Sequence, residues 1–186
     1  MAARGIIVFG APGSGTSTIG RALARKLGFS YFETDDFSGE KIDTPPFRKS
    51  RTLEERTSLL QLAICSCENF VISGSMWDWG ESFIPYFDLA VFITAPVNVR
   101  IDRLEKRERE EYGERIKQGG DMFDYHRNFI EWSKTYDTDN PDRSLKLHEQ
   151  WITKLPCAVI RIDGANDIYE NIERITEQYL SLNLNE

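Results

Sequence analysis

The sequence predicts an α/β fold of three layers, with a parallel sheet of about five strands between two layers of helices. Short apolar runs, which suit strands buried on both faces, alternate with stretches that carry apolar residues at helical spacing. A chain of 186 residues with 40% hydrophobic and 28% charged residues has the composition of one globular domain. We therefore expect a single domain over residues 1–186.

The first strand and helix are the most clearly marked elements. Residues 5–10 form a continuous apolar run, and residues 17–27 place Ile19 and Leu23 on one helical face. Gly28 follows, at the place where a residue that ends the helix is expected. This order predicts the first strand and crossover helix of a parallel sheet.

A second long helix is predicted after a short segment at residues 31–33. Thr52 and Glu55 have the spacing of a capping box, in which each side chain bonds the backbone N–H of the other residue. They predict a helix that continues to about residue 67. The apolar residues that we expect to face the sheet are Leu53, Leu60, Ala63, Ile64 and Cys67.

Three more apolar runs complete the predicted sheet, at residues 70–72, 89–94 and 157–162, and an amphipathic helix follows at residues 168–182. Residues 98–151 show no strand pattern and carry many charges of both signs. Such a pattern is typical of solvated helices, so this long segment is predicted to be a helical region packed beside the sheet.

The charge balance excludes some classes of function. A net charge of −7 disfavours a general nucleic-acid binder, because such proteins release counterions through clustered Lys and Arg. No apolar stretch reaches the 18 residues of a membrane span, and the N-terminal apolar run is too short for a signal peptide, so a cytoplasmic protein is expected. Three cysteines and two histidines have neither disulfide nor metal-ligand spacing, and both monomer and homodimer remain open.

One motif carries chemistry. The segment that follows the first strand fits the phosphate-binding loop G-x-x-x-x-G-K-[ST] at every fixed position except the lysine. Glycines at this spacing let the backbone approach a phosphate closely, and the N-terminus of the following helix favours an anion. A purely structural glycine turn is the alternative. The predicted nucleotide-binding residues are Gly10, Pro12, Gly13, Ser14, Gly15, Thr16, Ser17 and Thr18.

Thr16 stands where the loop normally has its lysine. A threonine hydroxyl supplies a hydrogen bond but no charge to the β- and γ-phosphates. Loss of a cation from phosphoryl transfer costs about a thousandfold, or roughly 4 kcal/mol, unless another cation replaces it. Either an arginine from elsewhere replaces the lysine, or the protein binds nucleotide with little or no turnover.

The loop and its setting resemble the adenylate/shikimate/gluconate kinase branch of P-loop NTPase folds. More narrowly, they resemble the bacterial adenylate-kinase-like proteins whose loop reads G-x-x-G-S-G-[TS]-[ST]-T. The resemblance covers nearly the whole chain. It implies ATP and Mg²⁺ as cofactors, a nucleotide or small hydroxyl-bearing molecule as phosphoryl acceptor, an acceptor-binding region at residues 34–67 and a lid-like region at residues 99–150. The alternative is a regulatory or sensor protein that binds nucleotide.

The resemblance also implies roles for the acids after the second strand. In these kinases an aromatic residue and two acids follow that strand, and Phe32, Glu33 and Asp35 occupy the equivalent positions. Asp35 is the expected catalytic residue at the acceptor, and Ser17 and Glu33 the expected metal ligands. Asp36 could take either role at the acceptor or the metal, and one of the acids could instead cap a turn.

Further residues are assigned by the same resemblance. It implies that Arg103 and Arg107, four residues apart on a helix, are lid arginines, and either could replace the missing lysine. Gly164 is expected near the base. The residues expected to bind the phosphoryl acceptor are Asp36, Arg48, Arg51, Gly74, Ser75 and Trp77, although the arginines could form a solvated turn and the tryptophan could belong to the core.

Overall fold

Five parallel strands form one sheet, as the sequence predicts. A computed structural model describes residues 3–39, 50–138 and 140–183. The order of the strands across the sheet is β2-β3-β1-β4-β5, and every neighbouring pair is parallel, so all carboxyl ends lie on one edge. The strands are β1 (Arg4–Gly10), β2 (Ser30–Glu33), β3 (Asn69–Ser73), β4 (Phe87–Thr94) and β5 (Ala158–Asp163).

Helices connect the strands and cover both faces of the sheet. Short 3₁₀ helices lie at Glu81–Tyr86, Gly113–Ile116 and Thr135–Asp137. The α-helices are α1 (Thr16–Leu27), α2 (Thr34–Ser38), α3 (Leu53–Cys65), α4 (Val97–Tyr112), α5 (Phe123–Lys134), α6 (Leu145–Ile152) and α7 (Ile168–Asn183).

Alternation along β1 builds two apolar layers, because successive side chains of a strand point to opposite faces. Ile7 and Phe9 pack in a cluster with residues of α3 and α6, while Ile6 and Val8 pack with residues of α1 and α7. All four side chains are fully buried, which explains why the strand is a continuous apolar run. The predicted three-layer α/β architecture is therefore confirmed.

The predicted helix signals have clear outcomes. Gly28 caps α1 with a left-handed φ of 72°, and the Thr52–Glu55 capping box opens α3. Leu60 and Ile64 face the sheet as predicted, but the prediction for Leu53 is wrong, since its side chain is 55% exposed. Leu53 is the first residue of α3. Helical periodicity is a less reliable guide to burial at this position, because no helical turn precedes it.

Between β4 and β5, the described residues form helices and no strand, as predicted for the lid-like region. Helix α4 packs against α5, where Ile101 and Leu104 meet Ile130 in a small separate cluster. None of the helices in the described ranges is long and apolar enough to cross a membrane. The three cysteines are free thiols.

Candidate active site

The phosphate loop connects β1 to α1 at the carboxyl edge of the sheet. Gly13 and Gly15 adopt left-handed φ values of 78° and 106°, which side chains other than glycine adopt only with strain. A Cβ on Gly10 would lie 2.1 Å from the carbonyl oxygen of Ile93, so only glycine fits between the loop and β4. Helix α1 has no side-chain N-cap and no acid in its first turn, which leaves its positive end available for an anion.

Contacts from other elements hold this loop in place. Arg100 of α4 is fully buried and donates hydrogen bonds to the carbonyl oxygens of Pro12 at 3.4 Å and Ser133 at 3.2 Å. It also forms an ion pair with Asp137. The Ser73 hydroxyl donates to the carbonyl of Thr16 at 3.1 Å. The loop is therefore fixed by β3 and by the lid-like region, as a preorganised anion site requires.

A cavity of about 130 Å³ opens in front of the loop, where the carboxyl ends of β1, β2 and β3 meet. Ligands of open parallel sheets bind at this edge. The cavity brings together residues that the sequence analysis predicted from separate segments. They are Gly10, Pro12, Gly13, Thr16 and Ser17 of the loop, Glu33 and Asp35 after β2, Gly74 and Ser75 after β3, and Arg107 of α4.

Carboxylates line one wall of the cavity. Glu33 accepts a hydrogen bond from the Tyr31 hydroxyl at 2.9 Å and lies 3.2 Å from the Arg21 guanidinium. Burial, with the Glu33 charge adding to it, raises the pKa of Tyr31 to about 12, so the phenol stays a hydrogen-bond donor. Glu33 and the Ser17 hydroxyl supply the oxygen atoms that Mg²⁺ prefers, and Asp35 offers a further carboxylate at the start of α2.

Two arginines also line this cavity, and only Arg107 was predicted from the sequence. Arg107 lies over the Phe129 ring at 5.8 Å, and Arg143 lies over the Trp132 ring at 5.4 Å. Burial lowers the pKa of Arg143, and the nearby carboxylate of Asp35 opposes this shift. A guanidinium remains protonated in proteins, so both side chains are cations that face the phosphate loop.

A second cavity of about 200 Å³ lies on the other side of α1's first turn. Arg103 lines it and donates a hydrogen bond to the carbonyl of Gly164 at 3.0 Å. A Cβ on Gly164 would lie 2.1 Å from the carbonyl oxygen of Ser14, so the turn after β5 packs directly on the loop. The two predicted lid arginines thus separate: Arg107 reaches the first cavity and Arg103 the second. Gly15 and Thr18 also line the second cavity.

The remaining predicted residues in the described part of the chain line neither cavity. Trp77 lines a surface groove with α3 and donates its indole N–H to the carbonyl of Asp142 at 3.0 Å. Asp36 is exposed, and the Arg51 guanidinium donates to the carbonyls of Asp36 at 2.9 Å and Gly39 at 3.2 Å. Arg48 lies outside the described residues.

Sequence analysis missed Arg143 because it belongs to a segment where charges of both signs are frequent. A weak signal exists in the turn-forming Asn140-Pro141-Asp142 run, followed by Ser144 as the N-cap of α6. These residues fix where α6 begins, and thereby place Arg143 immediately before a helix. Nothing in the sequence shows that its side chain points inward onto Trp132.

Comparisons with known proteins agree with this geometry. The family model of the AAA domain matches residues 6–124. The chain is 35% identical to the uncharacterized protein YqaC of Bacillus subtilis (strain 168), over 97% of this chain and 99% of that protein. A cytidylate kinase of Ignicoccus hospitalis is 26% identical over 61% of this chain and 70% of its own length.

The fold is also found among solved structures. Shikimate kinase from Bacteroides thetaiotaomicron superposes with a TM-score of 0.54 at 20% identity, over 94% of this chain and 97% of that one. A likeness at this level of identity shows the fold. Together with the family match, it confirms the predicted P-loop kinase architecture.

Proposed function

We propose a function for this chain, which belongs to the AAA-domain family of P-loop proteins and to their small-molecule kinase branch. It uses ATP and Mg²⁺ to phosphorylate a nucleotide or a small hydroxyl-bearing acceptor. One observation carries the proposal. A phosphate loop, two carboxylates and two arginines line the same cavity, although they come from distant parts of the chain. Phosphoryl transfer needs these groups in this arrangement: an anion seat, oxygen ligands for a metal, and positive charge.

In this proposal the loop binds the triphosphate through its backbone N–H groups and the start of α1. Ser17 and Glu33 would hold Mg²⁺, which when bound neutralises charge on the phosphates. Gly164 and Arg103, which line the second cavity, would contact the base side of the nucleotide.

Asp35 would orient the acceptor hydroxyl and accept its proton, because it lines the cavity in front of the phosphate loop. Arg107 and Arg143 would stabilise the charge on the transferred group, in place of the lysine that Thr16 replaces. Arg51, whose guanidinium donates a hydrogen bond to the Asp36 carbonyl, would shape the entrance for the acceptor together with Asp36. Arg48 and Trp77 are further candidates.

The rival function is nucleotide binding without phosphotransfer, in a regulator or sensor. Thr16 favours it, since the loop itself carries no cation. Both functions use the same anion seat, so nucleotide binding alone does not separate them. The difference lies in whether Arg107 and Arg143 act on the γ-phosphate during transfer.

A coupled ADP-release assay separates the two functions. The protein is screened with Mg²⁺, ATP and three sets of acceptors: nucleoside monophosphates, nucleosides and sugar acids. We expect ADP formation that depends on one set and falls at least a hundredfold in Asp35→Asn, which matches general-base catalysis. The matched control Asp124→Asn changes an exposed carboxylate paired with Arg127 on α5 and should leave the rate unchanged.

Calorimetry with Mg²⁺ and a non-hydrolysable ATP analogue measures binding in parallel. Tight binding without ADP formation from any acceptor, together with turnover created by Thr16→Lys, would establish the regulator instead of the kinase. Failure of the analogue to bind would remove both functions, because both depend on the phosphate loop.

A further inference from the structure

Three buried side chains form a chain of hydrogen bonds behind the wall of the first cavity. The Tyr136 hydroxyl lies 2.8 Å from His148 Nδ1, and the Ser75 hydroxyl lies 2.8 Å from His148 Nε2. Their exposed fractions are 3%, 0% and 5% in the order Tyr136, His148, Ser75. Of the three, Ser75 lines the cavity, next to Gly74. The chain therefore leads from the lid-like region to the acceptor side of the site.

The imidazole in the middle of this chain is neutral. Burial lowers the pKa of His148 to about 3, and the positive charge of Arg143 contributes to the same shift. Edge contacts with the rings of Phe9 at 5.3 Å and Phe92 at 6.0 Å hold the plane of the imidazole. A neutral imidazole carries one N–H and one lone pair, so one neighbour must donate to it and the other must accept from it.

Access to the cavity decides which neighbour of His148 donates a hydrogen bond to it. If the Tyr136 oxygen accepted from Nδ1–H, its own proton would have no acceptor in the described part of the chain. A buried hydroxyl proton left unpaired costs about 1 to 3 kcal/mol. In the opposite direction Tyr136 donates to Nδ1 and Nε2–H donates to the Ser75 oxygen, so the hydroxyl proton without a protein partner is that of Ser75, which lines the cavity, where water or a ligand can accept it.

This direction leaves the Ser75 proton without a partner in the described residues, at the surface of the cavity. The main chain of Ser75 is fixed as well, since its carbonyl accepts the indole N–H of Trp79 at 3.2 Å. We propose that Tyr136 and His148 are positioning residues that fix the Ser75 hydroxyl as a hydrogen-bond donor to an oxygen of the phosphoryl acceptor. The proposal rests on the proposed kinase function.

The chemistry of the bound group follows from its neighbours. A hydroxyl that can only donate, with the Arg143 guanidinium lining the same cavity, favours an oxygen that carries negative charge. A carboxylate and a phosphate of the acceptor share this chemistry. A sugar acid and a nucleoside monophosphate, compared with their uncharged counterparts, distinguish the two sources in the assay.

Nitrogen NMR of histidine tests the hydrogen-bond direction directly. The chain has two histidines, so ¹⁵N-labelled histidine with His126→Gln assigns the spectrum. At pH 7 we expect His148 as the neutral Nε2–H tautomer in the wild type. In Tyr136→Phe, which removes the donor to Nδ1, the Nδ1 resonance should move while the protein stays folded. An Nδ1–H tautomer in the wild type would overturn the proposal.

Kinetics tests the role of the Ser75 proton. We expect Ser75→Ala to raise the KM for the phosphoryl acceptor about tenfold, the effect of losing one hydrogen bond to a charged group, with the Kd for the ATP analogue unchanged. Ser75→Thr, which keeps the hydroxyl, should restore part of this loss. Tyr136→Phe should raise the same KM, and the matched control Tyr169→Phe, at a 76% exposed site, should not.

The outcomes separate this proposal from the kinase function. An unchanged acceptor KM in Ser75→Ala, with normal turnover, overturns the role of Ser75 and leaves the kinase in place. No turnover with any acceptor overturns the kinase and, with it, the assignment of Ser75 to the acceptor. The tautomer measurement, which needs no substrate, then still decides the hydrogen-bond direction.

Discussion

Replacement of Arg143 should show whether a lid-side cation takes over the role of the missing lysine. A positive charge about 4 Å from a phosphate oxygen contributes about 4 kcal/mol at an effective dielectric constant of 20, which corresponds to roughly a thousandfold in rate. Arg143 is only partly exposed and lies over the Trp132 ring, so water screens its charge less than that of an exposed side chain. Arg143→Ala should therefore lower kcat about a thousandfold and change the Kd for the ATP analogue much less.

Arg107 provides the internal comparison. Its side chain is 57% exposed and also meets Glu108 at 3.4 Å, so solvent and a neighbouring carboxylate both weaken its field. Arg107→Ala should cost less than Arg143→Ala. The exposed Arg127, paired with Asp124, is the matched control for loss of an arginine, and Arg127→Ala should leave kcat unchanged.

The coupled ADP-release assay measures these variants, and Thr16→Lys completes the test. If Arg143 supplies the charge that the loop lacks, Thr16→Lys should restore part of the activity in Arg143→Ala and add little in the wild type. A wild-type kcat in Arg143→Ala, with the protein folded and ATP bound, would refute the reasoning. Equal activation by Thr16→Lys in both backgrounds would show that the two positions act independently.

Gly13→Ala should abolish ATP binding measured by calorimetry, because its φ is 78° and the new Cβ would lie 2.5 Å from a carbonyl of α4. The control Gly28→Ala has a similar φ of 72°, but there is open space around it. It should cost about 1 kcal/mol of stability and leave ATP binding intact. Leu60→Ala, in the core, should lower the free energy of unfolding in urea by about 2 to 5 kcal/mol, and the 70% exposed Leu62→Ala by less than about 0.5 kcal/mol. The pKa of His148 falls from the ordinary 6.5 of the unfolded chain to about 3 in the folded protein, so between pH 3 and pH 6.5 the unfolded chain binds more protons. Urea unfolding should therefore show a loss of about 2 kcal/mol from pH 6.5 to pH 5 that His148→Asn lacks.

The sequence was sufficient for the strands and for the phosphate loop, since both depend on local patterns. A continuous apolar run such as residues 5–10 suits a strand that is buried on both faces, and the glycines after it have few alternative roles. The capping box at Thr52 is equally local. Leu53 shows the limit of such reasoning, because helical periodicity does not say which side of the first turn meets another element.

The rest of the site depends on contacts between distant segments. Arg143 and Thr16 are far apart in sequence, and only the packing of α6 on the sheet and of α5 on α4 brings them to one cavity. His148 shows the same limit: its position in the sequence shows only that it lacks metal-ligand spacing, although its ring joins Ser75 to Tyr136. The chemistry of an isolated residue type is readable from the sequence, but its partners are not.

If the lid-like region supplies the positive charge that the loop lacks, as we propose, the site is complete only while that region is in place. A lysine in the loop would be present in every conformation, whereas Arg107 and Arg143 are both stacked on rings of α5. The same helix end is joined to the loop through Arg100, which bonds the carbonyls of Pro12 and Ser133. The cations, the rings that orient them and the loop thus form one mechanically connected unit. In such a site, displacement of α5 would remove the charge needed for transfer, so ATP bound with the lid open would be hydrolysed slowly even though water reaches it.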